Sequence, residues 1–227
     1  MPEDMNSLRL LVFDWDGTLM DSIGPIVACT QATIRELGLE QVPDETIRCT
    51  VGLGLRETIE TLSPGCDDRL FGSILEGYRK NWYETYRDMP LLFSGVEAML
   101  RDLAAEGYLL AVATGKSRRG LDYALEQTGL REVFHVTRTV DEAFSKPHPK
   151  MLLDILDELG VSPRETVMIG DTTFDLEMAR NARTHGIGVC SGGHGREELL
   201  SQEPLACLDQ VADLAAWLAE RSAAVTT

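Results

Sequence analysis

Asp14 and Asp16 stand two residues apart in Asp14-Trp15-Asp16-Gly17-Thr18, directly after the apolar run Leu8-Arg9-Leu10-Leu11-Val12-Phe13. In an extended segment, positions i and i+2 share a face, so both carboxylates can reach one site. Two anions held this close repel each other, unless a cation binds between them or one of them keeps a proton. Both forms of relief serve catalysis. An aspartate can act as a nucleophile, and a neighbouring acid can hand over a proton and take one back. Taken alone, the five residues have a second reading: an acidic turn at a strand end, with Gly17 making the bend and Thr18 satisfying nearby backbone donors.

Three later stretches carry residues of matching chemistry. Thr114-Gly115-Lys116-Ser117 follows the apolar run 108–113. Lys146 sits between Ser145 and Pro147, and Gly170-Asp171-Thr172-Thr173-Phe174-Asp175 closes the run Thr166-Val167-Met168-Ile169. Each has a plain reading of its own: a turn threonine, a surface lysine, and in Asp175 an acid that complements a helix dipole. Brought to one sheet edge they would do more. A hard divalent cation such as magnesium takes carboxylate oxygens and suits Asp14 and Asp171. The Thr114 hydroxyl and the Lys146 ammonium would complement the oxygens of a phosphoryl group.

The elements that must position these residues alternate. Leu8–Phe13, Tyr108–Ala113, Phe134–Thr137, Thr166–Gly170 and Gly186–Cys190 read as strands. Val96–Glu106, Arg118–Gln127, Pro149–Leu159, Thr173–Ala182 and Val211–Arg221 read as helices. Such alternation implies a parallel, doubly wound sheet whose strands end along one edge, where ligands bind in this architecture. Residues 21–89 break the rhythm. Ile23–Leu39, a helix starting at Pro43-Asp44-Glu45, Leu55–Leu62 and the long periodic run Asp67–Met89 form a helical block with no strand, inserted after the first strand. Trp15 points away from the two acids into packing. Trp82, Tyr83 and Tyr86 read as packing within the block.

Composition narrows the function classes. The chain has 227 residues, 44% of them hydrophobic, enough for a full core. Its net charge of -16 argues against nucleic acid or an anionic membrane surface as partner. An anionic substrate would then need local positive charge or a metal ion. Five scattered cysteines without Cys-x-x-Cys spacing predict reduced thiols and neither a disulfide framework nor a thiolate zinc site. The acidic start Met1-Pro2-Glu3-Asp4 lacks a signal-peptide pattern and no apolar stretch is long enough to span a membrane, so a cytoplasmic location is expected. His148 and His194 lie near the expected edge, but their spacing matches no metal site.

With four motifs in order, each after a strand, the chain resembles the haloacid dehalogenase superfamily, and within it the phosphatases similar to phosphoglycolate phosphatase. The resemblance covers nearly the whole chain. It implies a Rossmann-like doubly wound α/β core formed by residues 1–20 and 90–227, with an all-helical cap domain at 21–89. It implies a magnesium-dependent phosphatase that hydrolyses a small phosphorylated metabolite through an aspartyl-phosphate. Asp14 would be the nucleophile and Asp16 the general acid/base. Magnesium would be held by Asp14, Asp171 and the backbone carbonyl of Asp16, with Asp175 supporting it. Thr114, Gly115 and Lys146 would hold the phosphoryl oxygens. Val51-Gly52-Leu53-Gly54-Leu55-Arg56 resembles the family's substrate-specificity loop, which makes Arg56 a candidate substrate contact, beside its plain reading as a surface arginine. A phosphomutase of the same family uses the same two acids. Dehalogenases and phosphonate hydrolases of the family lack an acid at the position of Asp16. A signalling receiver domain shares the acids, threonine and lysine, but orders them differently and has no insertion of this size. Monomer and homodimer are both open.

Overall fold

The four apolar residues Leu10–Phe13 form strand β1, completely buried, near the middle of a six-stranded sheet. The computed structural model describes residues 8–89 and 92–225; the acidic start of the chain therefore lies outside the described residues. The other strands are β2 (Leu109–Thr114), β3 (Val136–Thr139), β4 (Thr166–Gly170), β5 (His185–Val189) and β6 (Ala206–Leu208). All pair in parallel, in the order β3-β2-β1-β4-β5-β6. Leu10 is level with Leu109 on one side and Thr166 on the other, and Phe13 with Val112 and Ile169. The chain leaves β1, β2 and β4 at one edge.

Between β1 and β2 the chain forms α1 (Ile23–Glu36), α2 (Asp44–Arg48), α3 (Leu55–Leu62), α4 (Asp68–Thr85) and α5 (Val96–Ala105). The first four make the helical block, in which α1 packs along α4 and against α2. The remaining helices are α6 (Arg118–Thr128), α7 (Lys150–Leu159), α8 (Thr173–Ala182), α9 (Arg196–Leu200) and α10 (Leu214–Val225). Alternation along β1 sends Leu11, Phe13 and Trp15 into one core layer with Leu100 and Leu103 of α5, Leu121 of α6 and Leu214 of α10. Leu10 and Val12 enter the opposite layer, with Met151 and Ile155 of α7 and Met178 of α8. Helices on both faces make the fold a doubly wound α/β architecture. Among the described residues no helix is long and apolar enough to cross a membrane.

Several bounds differ from the sequence pattern. β3 starts two residues later than expected because Phe134 turns into the core, edge-on to Phe13 and Trp15, before the ladder begins. α1 ends at Glu36, and Gly38 has φ 65°, the left-handed conformation that stops a helix. α4 ends at Thr85, capped at its start by Asp67, whose carboxylate accepts from the Leu70 amide at 2.8 Å. α9 and β6 were not expected at all. Five and three residues long, they are too short to show a period.

Candidate active site

Asp14 comes directly after β1, and its amide donates to the Ile169 carbonyl at 2.9 Å, extending the ladder to β4 by one bond. By alternation Asp14 and Asp16 project from the face that α7 and α8 cover. From that face two further charged groups arrive. Lys146, in the segment leading into α7, places Nζ 2.7 Å from Asp14 Oδ1 and 2.6 Å from Asp175 Oδ1. These are close, buried ion pairs. Asp175, in the first turn of α8, also accepts from the Thr172 amide at 3.1 Å and hydroxyl at 2.7 Å, a reciprocal helix cap. Asp171, at the end of β4, accepts from the Thr18 hydroxyl at 2.7 Å and the Gly193 amide at 2.7 Å. Thr18 therefore serves a carboxylate, not the backbone donors expected of it.

Asp14, Asp16, Thr114, Lys146, Asp171 and Asp175 are all buried. Burial pushes the Asp14 carboxyl well above the usual aspartate value; Lys146 pulls it back, and Asp175 and Asp171 raise it further. Burial first, and Asp175 second, push Asp171 up to about 7 against its two donors. For Lys146 burial opposes the charge, yet Asp14 and Asp175 outweigh it and hold the ammonium above the ordinary lysine range.

Carboxylate oxygens of Asp14, Asp171 and Asp175 lie within 4.8 Å of one another. Asp14 Oδ2 is buried and has no hydrogen-bond partner among the described residues. An unsatisfied buried acceptor costs about 1–3 kcal/mol. A crowded, all-oxygen set with an orphaned carboxylate atom and raised acid pKa values suits a hard divalent cation. Gly192 tightens the arrangement. A Cβ there would sit 1.9 Å from Asp171 Oδ2, so the loop can lie against the carboxylate only because residue 192 has no side chain.

Asp16 faces a cleft of about 1180 Å³ between the helical block and the sheet edge. Its oxygens lie 2.7 and 2.8 Å from Lys116 Nζ, and the Ser22 hydroxyl donates to Oδ1 at 2.6 Å. The Lys116 ammonium in turn lies 5.4 Å from the ring centre of Trp82 on α4. Residue spacing in the sequence marks neither Lys116 nor Ser22 as part of the site. The position of Lys116 straight after Thr114-Gly115 at a strand end was the available signal. Burial, with Asp16 nearby, holds the Tyr78 phenol well above the usual tyrosine range, and Tyr78 also lines the cleft. Thr114 Oγ1 accepts from the Lys116 amide at 3.2 Å, which leaves its proton available.

The loop 51–56 is docked on the sheet edge. The Gly54 amide donates to the Ser145 hydroxyl at 2.8 Å, and a Cβ on Gly115 would meet the Leu53 carbonyl at 2.4 Å. Arg56 lines the same cleft, but its guanidinium lies 4.3 Å over the Phe71 ring and 3.4 Å from Asp68. It is not brought to the buried acids. His194 accepts from the Thr173 amide through Nδ1 at 3.1 Å, a local bond at the start of α8.

Residues 11–189 match the model of the haloacid dehalogenase-like hydrolases. The chain belongs to that family. Among the relatives of this family member is a protein of Dickeya dadantii named as the probable phosphatase IndB. It is 34% identical over 209 residues, which cover 90% of this chain and 91% of the relative. A phosphoglycolate phosphatase of Psychrobacter arcticus is 28% identical over 219 residues, 92% of this chain and 95% of the relative. A hydrolase of Pseudomonas syringae shares the fold, with a TM-score of 0.85 at 24% identity over 93% of this chain and 98% of that one. This haloacid dehalogenase-like hydrolase is a phosphatase.

Proposed function

We propose that the protein is a magnesium-dependent phosphomonoesterase that transfers the phosphoryl group of a small metabolite to Asp14 and then to water. The observation that carries this reading is the meeting of Asp14, Lys146, Asp171 and Asp175 in one buried cluster, with Asp16 beside it on the cleft. Magnesium, held by Asp14, Asp171 and the Asp16 carbonyl with Asp175 behind them, would neutralise phosphoryl oxygens and the repulsion among the acids. The Lys146 ammonium, the Thr114 hydroxyl and the Gly115 amide hold the remaining oxygens. An oxygen of Asp14 attacks phosphorus in line with the leaving oxygen, and the P–O bond to the metabolite breaks. Asp16 gives the leaving oxygen its proton, then takes one from the water that opens the aspartyl-phosphate. Burial of Asp14 keeps bulk water from competing before that point.

Residues 1–20 and 90–227 act as the core and 21–89 as the cap in this reading. The docking of loop 51–56 on Gly115 and Ser145 supports a closed arrangement of the two. Tyr78, Trp82 and Arg56 then face the part of the substrate that leaves. The test is hydrolysis of para-nitrophenyl phosphate with and without magnesium, by the wild type and by Asp14→Asn and Asp16→Asn. Activity without metal, or full activity in Asp14→Asn, overturns the mechanism. Phosphate release from a panel of phosphoglycolate, sugar phosphates, nucleotides and pyrophosphate identifies the substrate, and return of the phosphoryl group to a sugar in place of water would mark a mutase.

A further inference from the structure

Cys190 and Cys207 are 17 positions apart in the chain, and nothing in the cysteine spacing marks them as a pair. The sheet makes them one. β5 and β6 run in the register Gly188↔Cys207 and Val189↔Leu208, and the Cys190 amide donates to the Leu208 carbonyl at 2.9 Å. Cys190 thus lies two residues beyond Gly188, on the same face as Cys207. Gly188 leaves that face open, and the Cys207 sulfur lies 3.3 Å from the place a Cβ would take there. The thiol leans across the gap, and the two sulfurs are 3.4 Å apart. A disulfide is about 2.05 Å long, so closure needs an approach of about 1.4 Å. Both residues are partly exposed, within reach of a small oxidant.

The three residues after Cys190 all touch the acid cluster or its loop. Ser191 donates to the Gly17 carbonyl at 3.0 Å, Gly192 presses on the Asp171 carboxylate, and the Gly193 amide donates to Asp171 Oδ2 at 2.7 Å. A pull on Cys190 is therefore a pull on Asp171.

We propose that Cys190 and Cys207 form a reversible disulfide site, oxidised by hydrogen peroxide, and that closing it lowers activity by shifting residues 191–193 against Asp171. The loss of activity rests on the phosphatase reading above; the bond itself does not. Cys190 sulfur attacks the O–O bond, giving a sulfenic acid and one water. Cys207 sulfur then attacks that sulfur, the S–O bond breaks, and the second water leaves with the remaining thiol proton. Two thiols lose two electrons and two protons, and one peroxide becomes two waters. Burial, followed by the neighbouring Cys190, pushes the Cys207 thiol up to about 11, which keeps it protonated at neutral pH and makes its attack the slow step.

The full chain is treated with hydrogen peroxide, digested without reductant and weighed by mass spectrometry. Hydrogen exchange of segment 190–195 and phosphate release are followed in parallel, before and after dithiothreitol. The expected result is a cross-linked peptide pair holding Cys190 and Cys207 and lighter by two hydrogens, faster exchange at 190–195, and activity down on the order of ten-fold, as for other disturbed supports of metal-site residues. Dithiothreitol restores all three, and Cys207→Ser shows none of the changes. Linkage to another cysteine, or oxidation of Cys190 to sulfinic acid without linkage, overturns the site. Linkage with unchanged exchange and activity overturns the regulation. A reduced protein with no phosphatase activity that still forms the link refutes only the reading on which the activity loss rests.

Discussion

At Lys146 two needs meet in one atom. Its ammonium is set between Asp14 and Asp175, and all three groups are shut away from water. Removing one member of such a buried ion set leaves the rest uncompensated, at a cost of about 3–5 kcal/mol. Lys146→Ala is therefore expected to lose that much stability in urea denaturation as well as its activity, while Asp16→Asn, at the cleft, loses activity with much less of a stability penalty. A Lys146→Ala protein as stable as the wild type would show that the acids are neutralised in some other way. Thr18 shows the limit of reading single residues. Its hydroxyl could be paired with local backbone on turn chemistry, but its partner Asp171 lies 153 positions away, and only the β1–β4 pairing brings the two together.

Elements decide how closely the pieces approach. The turn after β5 fits against Asp171 because Gly192 has no side chain. Gly192→Ala is expected to cut turnover by about 10–100-fold with unchanged far-ultraviolet circular dichroism; equal turnover would mean that the loop has room to yield. At the end of β3, Glu142 clips its own turn, receiving the Arg118 guanidinium and the Thr139 amide and hydroxyl. Burial works to raise its pKa, but these hydrogen bonds outweigh it and lower the value below 4.5. A carboxyl depressed on folding stabilises the native state above its unfolded value and stops doing so as pH falls through the folded one. Glu142→Gln should thus be less stable than the wild type at pH 7, and the gap should close as acid titration passes below 4.5. A gap independent of pH would assign the clip to shape and not to charge. Much of this level was legible in advance. α3, β4 and α8 have the bounds expected from Leu55–Leu62, Thr166–Gly170 and Thr173–Ala182, because strong periods and clear start signals coincide there. β6 was not, since three partly buried residues on an edge strand leave no alternation to detect. The pairing of Asp16 with Lys116 was equally hidden: a carboxylate and a lysine 100 positions apart announce no contact until β1 and β2 lie side by side.

Across the whole molecule, acid is the prevailing charge, and among the described residues three carboxylates crowd together inside. A net charge of -16 and three buried carboxylates within 4.8 Å both favour a cation that binds only the folded state. At a hundred times its dissociation constant such a ligand adds about 2.7 kcal/mol to folding, and for a chain of this size each kcal/mol moves the melting temperature by about 2–4 °C. Magnesium should raise the melting temperature of the wild type accordingly and leave Asp171→Asn nearly unmoved. An equal rise in both proteins would place the ion elsewhere.

The alternation along β1 ties catalysis to folding in one further way. Phe13 and Trp15 belong to one core layer, while Asp14 and Asp16 turn to the other side. Sliding β1 by a single residue against β2 and β4 would exchange the two sets, driving carboxylates into the aromatic layer and rings into the catalytic edge. Four residues of strand thus act as a reading frame. A chain that pairs them out of frame forfeits its core and its chemistry together, so a stably folded but misregistered and inactive form has no place in the population.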